Sequence, residues 1–260
     1  MKKRPQRKPI AVANWKMAMT VSEGLAFVRE FCPAVASLAE SVSIVLCPPC
    51  TALYPLSEAL ADSWIDLGAQ DVSAAPGKSH TGAISPQLLA NAGCKWVVLG
   101  HLEVRRRMGE TDADCNAKMR ACFKAGLRPI LFIGEGAAER GKAEEVLADR
   151  LPGLLAGCSA EQVRRSVVAY EPEWTIGAPK PASPADAAAG CSIIRRSIAR
   201  TLGVEAADRV RIIYGGSVAP EYAENLLASP DVDGLGAGRK GRDPLAFARI
   251  VRLMASAKGV

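Results

Sequence analysis

Short apolar runs rich in Val, Ile and Leu recur along the whole chain: PIAVANW, SIVLCPP, IDLGAQDV, WVVLGH, PILFIGE, VVAYEP, RIIYGGS and DVDGLGAG. Most are continuously apolar rather than alternating. A strand covered on both faces reads this way, so the runs predict strands of a buried parallel sheet. Each ends in glycine, proline or a polar residue, which marks a loop. Between the runs the rhythm changes. From Val21 to Ala39, residues Leu25, Val28, Phe31, Val35 and Leu38 recur three or four apart, which predicts a helix. Asp112–Ala125 and Glu139–Leu155 also fit helices. Ser183 to Leu202 begins SPAD, with Ser183 as N-cap and Pro184 at the first helical position. Asp243 and Pro244 start the last helix in the same manner.

The strand-then-helix unit repeats eight times, at intervals of ~20 to ~45 residues. Such alternation implies parallel strands joined by right-handed crossovers. Eight units in a chain of 260 residues suit an α/β fold closed as a single (β/α)8 barrel. The alternative is an open doubly wound sheet. That fold predicts a glycine-rich G-x-G-x-x-G loop after the first strand, but here the first strand runs into Asn14-Trp15-Lys16-Met17.

Composition changes this picture little. The chain is 49% hydrophobic and 23% charged, as expected of a folded water-soluble domain. No apolar run approaches the roughly 18 residues that a membrane helix requires, and no cleavage site follows the basic start, so neither a membrane span nor a secretory signal is expected. The formal net charge is +6, with Lys2, Lys3, Arg4, Arg7 and Lys8 near the start. Residues 1–8 are taken as a basic, solvated tail and residues 9–260 as the folded domain. With no aromatic residue interleaved, the tail does not read as a nucleic-acid arm. The eight cysteines sit mainly in apolar or helical contexts, which suggests buried, reduced thiols and a cytoplasmic home. Cys47-Pro48-Pro49-Cys50 has the spacing of a metal or redox pair. No second pair or nearby histidine completes it, so a strand end followed by a proline turn is the simpler reading.

In a closed barrel the C-terminal ends of the strands build the active site. The polar residues there are Asn14, Lys16, Gln70, Asp71, His101, Glu103, Glu135 and Glu171, with glycine loops at Gly215–Ser217 and Gly238–Arg239. A carboxylate, an imidazole, a lysine and exposed backbone amides suit proton transfer on an anionic substrate.

These motifs carry a resemblance. NWKM, AQDV, HTGAISP, VVLGH, GETD, GLRPILFIGE, VVAYEPEW-IG and IIYGGSV occur in the order and spacing of the triosephosphate isomerase family, from about Pro9 to the last helix. The resemblance implies a TIM barrel and an aldose–ketose isomerase of glycolysis and gluconeogenesis, with no metal and no organic cofactor. It further implies that Glu171 is the base, His101 a neutral electrophile and Lys16 the cation that stabilises the enediolate. Asn14, Gly177, Ser217, Gly238 and Arg239 would bind substrate, the last four through backbone amides. Glu103 would partner Lys16, and Pro172 to Lys180 would form a lid. A homodimer is implied, with the loop from Asp71 to Ser85 reaching a neighbour's Asn14 and Lys16.

The chain also departs from the family pattern. Leu102 and Val104 follow His101 where the family has serine and arginine, and Ala83 replaces the glutamate that pairs with that arginine. The last phosphate loop reads Gly238-Arg239-Lys240-Gly241-Arg242 in place of Gly-Gly-Ala-Ser, and the lid carries Glu173, Thr175 and Pro179. The Arg239 guanidinium is left with two options, the phosphate or solvent. Two substrates fit the same residues, the triose phosphates and a four-carbon tetrulose phosphate. A non-catalytic phosphate-binding relative is the third reading.

Overall fold

The computed structural model describes residues 7–260. Residues 1–6, most of the expected basic tail, lie outside that range. The strands are β1 (Ile10–Asn14), β2 (Ser43–Cys47), β3 (Asp66–Ala69) and β4 (Cys94–Leu99). They continue as β5 (Arg128–Ile133), β6 (Val167–Tyr170), β7 (Arg211–Tyr214) and β8 (Gly234–Ala237). They form a closed parallel barrel in sequence order. Ile10 pairs with Gly234 and Ala13 with Ala237, which closes the ring and excludes an open sheet.

The strands are apolar on both faces because each face meets a different layer. Val12, Val45, Trp96, Val98, Ile130 and Ile213 pack with one another inside the barrel. The alternate residues, such as Leu46, Val97, Leu131 and Val168, pack outward against helices. The crossover helices are α1 (Val21–Val35), α2 (Leu53–Ala59), α3 (Pro86–Asn91), α4 (Leu102–Met108) and α5 (Asp112–Lys124). Then come α6 (Ala143–Leu154), α7 (Ala160–Arg164), α8 (Pro184–Leu202), α9 (Val204–Arg209), α10 (Ala223–Leu227) and α11 (Pro244–Lys258).

Helix starts follow their caps. Ser183 accepts from the Asp186 amide at 3.1 Å, and Asp243 accepts from Ala246 at 2.9 Å. Two expected boundaries move. The first helix ends at Val35, just past Pro33, and a 3-10 turn carries the chain to Leu38. The helix expected from Glu139 starts at Ala143 instead. Glu139 ends a 3-10 turn and its carboxylate folds back onto the Gly136 amide at 2.8 Å; Gly141 then takes a left-handed φ of 89° that no helix continues. No helix among the described residues is long and apolar enough to cross a membrane.

Candidate active site

A cavity of about 720 Å³ opens at the C-terminal ends of the strands. Asn14, Lys16, His101, Glu103, Glu171, Gly177, Ser217, Gly238 and Arg239 all reach its wall, whereas Gln70, Asp71 and Glu135, also named from the sequence, do not: Asp71 lines a separate cavity and Glu135 another.

Lys16 leaves β1 in a strained backbone. Its φ is 55°, a left-handed value rare for a residue with a side chain. Two amides hold it there. Its own N–H donates to Asn14 Oδ1 at 3.0 Å, and Gln70 Nε2 donates to the Lys16 carbonyl at 2.9 Å. Among the described residues, the other non-glycine positions with positive φ are Met19 and Ser217, also in loops at this end. Strain concentrated at one face marks a place where geometry is held for chemistry. The Lys16 ammonium lies 3.0 Å from Glu103 Oε1.

His101 caps α4. Its Nδ1 accepts from the Glu103 amide at 3.2 Å. An accepting Nδ1 carries no proton, so the neutral ring holds its proton on Nε2. The ring is 4% exposed and sits 5.2 Å from the Phe132 ring. Burial, and then the Lys16 charge, lower its pKa to about 4, against a smaller pull upward from Glu103. His101 Nε2 lies 3.5 Å from Glu171 Oε1.

Glu171 follows β6, where its backbone passes against the loop after β5. A Cβ on Gly134 would stand 2.0 Å from the Glu171 carbonyl oxygen, so only glycine lets the two strand ends approach. Burial raises the Glu171 carboxyl to about 8, opposed by Lys16. A raised carboxyl and a lowered imidazole, adjacent in one cavity, form a pair able to move protons without carrying full charge at rest.

The segment 172–180, the expected lid, contributes Ile176, Gly177 and Pro179 to the cavity wall and is tied at both ends. At its start Glu135 accepts from the Tyr170 hydroxyl at 3.1 Å and from Trp174 Nε1 at 2.9 Å, and Glu173 forms an ion pair with Arg106 on α4. Glu135 therefore holds loops together. At the far end the Ser217 hydroxyl lies within bonding range of the Thr175 carbonyl (2.7 Å) and the Ala178 carbonyl (2.9 Å), and the Ala182 amide donates to the Tyr214 hydroxyl at 2.7 Å. The Arg239 side chain lines the cavity and also has a partner within the chain. Its Nη2 donates to the Ala178 carbonyl at 3.0 Å, so the guanidinium grips the lid. Pro179 restricts Ala178 to extended backbone, which fixes the direction of that carbonyl.

The amides of Gly177, Ser217 and Gly238 donate to no acceptor among the described residues. They face one cavity and can together hold a small oxyanion. The sequence named Gln70 at a strand end and Thr175 in the lid without giving either a supporting role, and it missed Tyr214. Tyr214 ends β7, which was the available signal.

The departures are also placed. Val104 and Ala83 line a separate cavity with Glu110 and Lys118, and Lys118 bridges Asp71 (2.7 Å) and Glu110 (2.6 Å). Cys47 is buried on the inner face of β2, while Cys50 is exposed. Among the described residues no cluster of His, Cys, Asp or Glu could hold a metal.

Comparisons with known proteins agree with this geometry. The family model described as triosephosphate isomerase matches residues 9–254. A triosephosphate isomerase of Symbiobacterium thermophilum is 44% identical over 254 residues, covering 97% of this chain and 99% of the relative. One from Herpetosiphon aurantiacus is 44% identical over 248 residues, covering 95% and 99%. The crystal structure of triosephosphate isomerase from Bartonella henselae superposes with a TM-score of 0.84 at 32% identity, covering 95% of this chain and 98% of the other. The chain belongs to the triosephosphate isomerase family.

Proposed function

We propose that this protein interconverts dihydroxyacetone phosphate and glyceraldehyde 3-phosphate through an enediolate, a step of glycolysis and gluconeogenesis. The observation that carries the reading is the pair at the cavity floor. A buried carboxyl group and the Nε2 of a neutral imidazole stand 3.5 Å apart, beside an ammonium. In its ionised form, which the Lys16 charge favours, Glu171 removes the proton from the carbon next to the carbonyl. His101 donates its Nε2 proton toward the carbonyl oxygen and so polarises it. Lys16 balances the negative charge that develops there. The pairing of a Glu base with a neutral His is known for this family and is carried over by resemblance. Asn14 positions Lys16, and Glu103 orients its ammonium. The amides of Gly177, Ser217, Gly238 and Arg239 hold the phosphate. The lid excludes water while the enediolate exists, which protects it from losing phosphate.

The active form we propose is a homodimer, in which residues 9–260 of each chain form the isomerase domain. The support is an exposed Met17 beside Lys16, 94% accessible, and an exposed Met108 next to the loop from Asp71 to Ser85. A cytoplasmic setting suits the buried thiols, which burial raises in pKa, Cys94 to about 12.

The test is exchange of solvent deuterium into the triose phosphates, with kcat/KM measured in parallel on a tetrulose phosphate. Wild type is expected to exchange and turn over the triose phosphates, and Glu171→Gln to lose both. A far higher kcat/KM on the tetrulose phosphate, or no exchange at all, sinks the triose reading.

A further inference from the structure

At the opposite end of the barrel from the catalytic cavity lies a second one, of about 510 Å³, and every residue lining it is an arginine or lysine. Two of these come from inside the barrel. Arg128 begins β5 and Arg211 begins β7, and both guanidinium carbons stand 5.3 Å from the centre of the Trp96 ring. Arg211 makes one long hydrogen bond, 3.3 Å to Ser43 Oγ. Burial and the neighbouring Arg128 lower its pKa to about 10, so the site resists its own positive charge.

The nearby acids are already committed. Asp66 accepts from Lys95 at 2.7 Å and Trp96 Nε1 at 2.9 Å. Asp233 accepts from Arg7 at 2.6 Å and Arg195 at 2.7 Å. At the rim, Arg164 and Arg209 share Glu205. Lys8 and Arg165 are exposed and, with Arg128 and Arg211, have no carboxylate within ion-pair distance among the described residues.

We propose that this cavity is a binding site for a small multivalent phosphate anion, independent of the isomerase reaction. Guanidinium groups match phosphate oxygens two at a time, and several cations without a carboxylate partner lining one open cavity call for more than one negative charge. A nucleic-acid strand fits less well, because the one aromatic ring at the floor already faces guanidinium groups and offers no face for a base.

The full chain is titrated with inorganic tripolyphosphate by calorimetry at about 0.15 M ionic strength. Lys16→Met serves as a background with the upper site's cation removed. Binding of about one equivalent is expected in wild type and in Lys16→Met. Arg128→Gln combined with Arg165→Gln is expected to weaken it at least about tenfold, as loss of two charge-assisted contacts should, with kcat/KM unchanged. Should Arg128→Gln fail to fold, Lys8→Gln with Arg165→Gln, both exposed, carries the same expectation. Three results overturn the proposal: no wild-type binding, binding lost in Lys16→Met but kept in the arginine variants, or tighter binding of a single-stranded oligonucleotide than of tripolyphosphate.

Discussion

Glu171 and His101 are each buried in the protonation state that water disfavours at neutral pH or only weakly favours, and stability records the cost. The Glu171 carboxyl moves from 4.5 to about 8. Between those values the unfolded chain gives up a proton that the folded chain keeps, so stability falls as pH rises through the window. His101 works in the opposite sense. Its pKa drops from 6.5 to about 4, so its contribution is present above 6.5 and is lost as pH falls toward 4. Glu171→Gln is therefore expected to raise the unfolding midpoint at pH 9 and to leave it nearly unchanged near pH 4. Equal midpoints for variant and wild type at pH 9 would show that the carboxylate carries no such penalty. The identities of these residues were legible in sequence because they sit in ordered motifs at strand ends. Their pKa values were not, because burial depends on Phe132 and on the lid, which only the fold brings near.

Arg239 also acts at the scale of the lid. The sequence places it after a phosphate-loop glycine but says nothing of its direction, since Ala178 is remote in the chain. In the fold its guanidinium and the Ser217 hydroxyl converge on the Ala178 carbonyl. Two ties on one carbonyl hold this segment in the position seen here. Arg239→Gly keeps a backbone amide for phosphate and removes one tie. The expected result is a KM raised about three- to tenfold, the worth of one partly exposed charged hydrogen bond, with a smaller change in kcat. An unchanged KM would remove Arg239 from lid control. The helices were legible where caps wrote their starts, as at Ser183 and Asp243. The displaced start at Ala143 was not, because Glu139 satisfies a helix pattern while its side chain serves a local turn.

For the whole molecule, eight apolar strands alternating with helices were enough to read a closed barrel. What the pattern could not show is which residues meet across the ring. Arg128, Arg165, Arg211 and Lys8 are scattered in sequence and share one cavity at the floor. The surface also carries exposed methionines near the mouth, Met17 and Met108 at 94% and 76% accessible. Burying such side chains against a second copy is the expected use of apolar surface there. Sedimentation velocity should show a dimer for wild type and a shift toward monomer for Met17→Glu, whose new charge would be desolvated in the contact. A stable, fully active wild-type monomer would count against the dimer.

The seam that closes the barrel joins Ile10 of β1 to Gly234 of β8, strands far apart in the sequence. During synthesis β1 leaves the ribosome long before its second neighbour. At ordinary elongation rates that wait is roughly 10–45 s. Throughout it, one edge of a strand whose first four residues are apolar has no partner and can pair with another nascent chain. For this protein the hazard of misassembly is therefore set by translation speed, and slowing the ribosome late in the message would lengthen it more than any weakening of the finished fold.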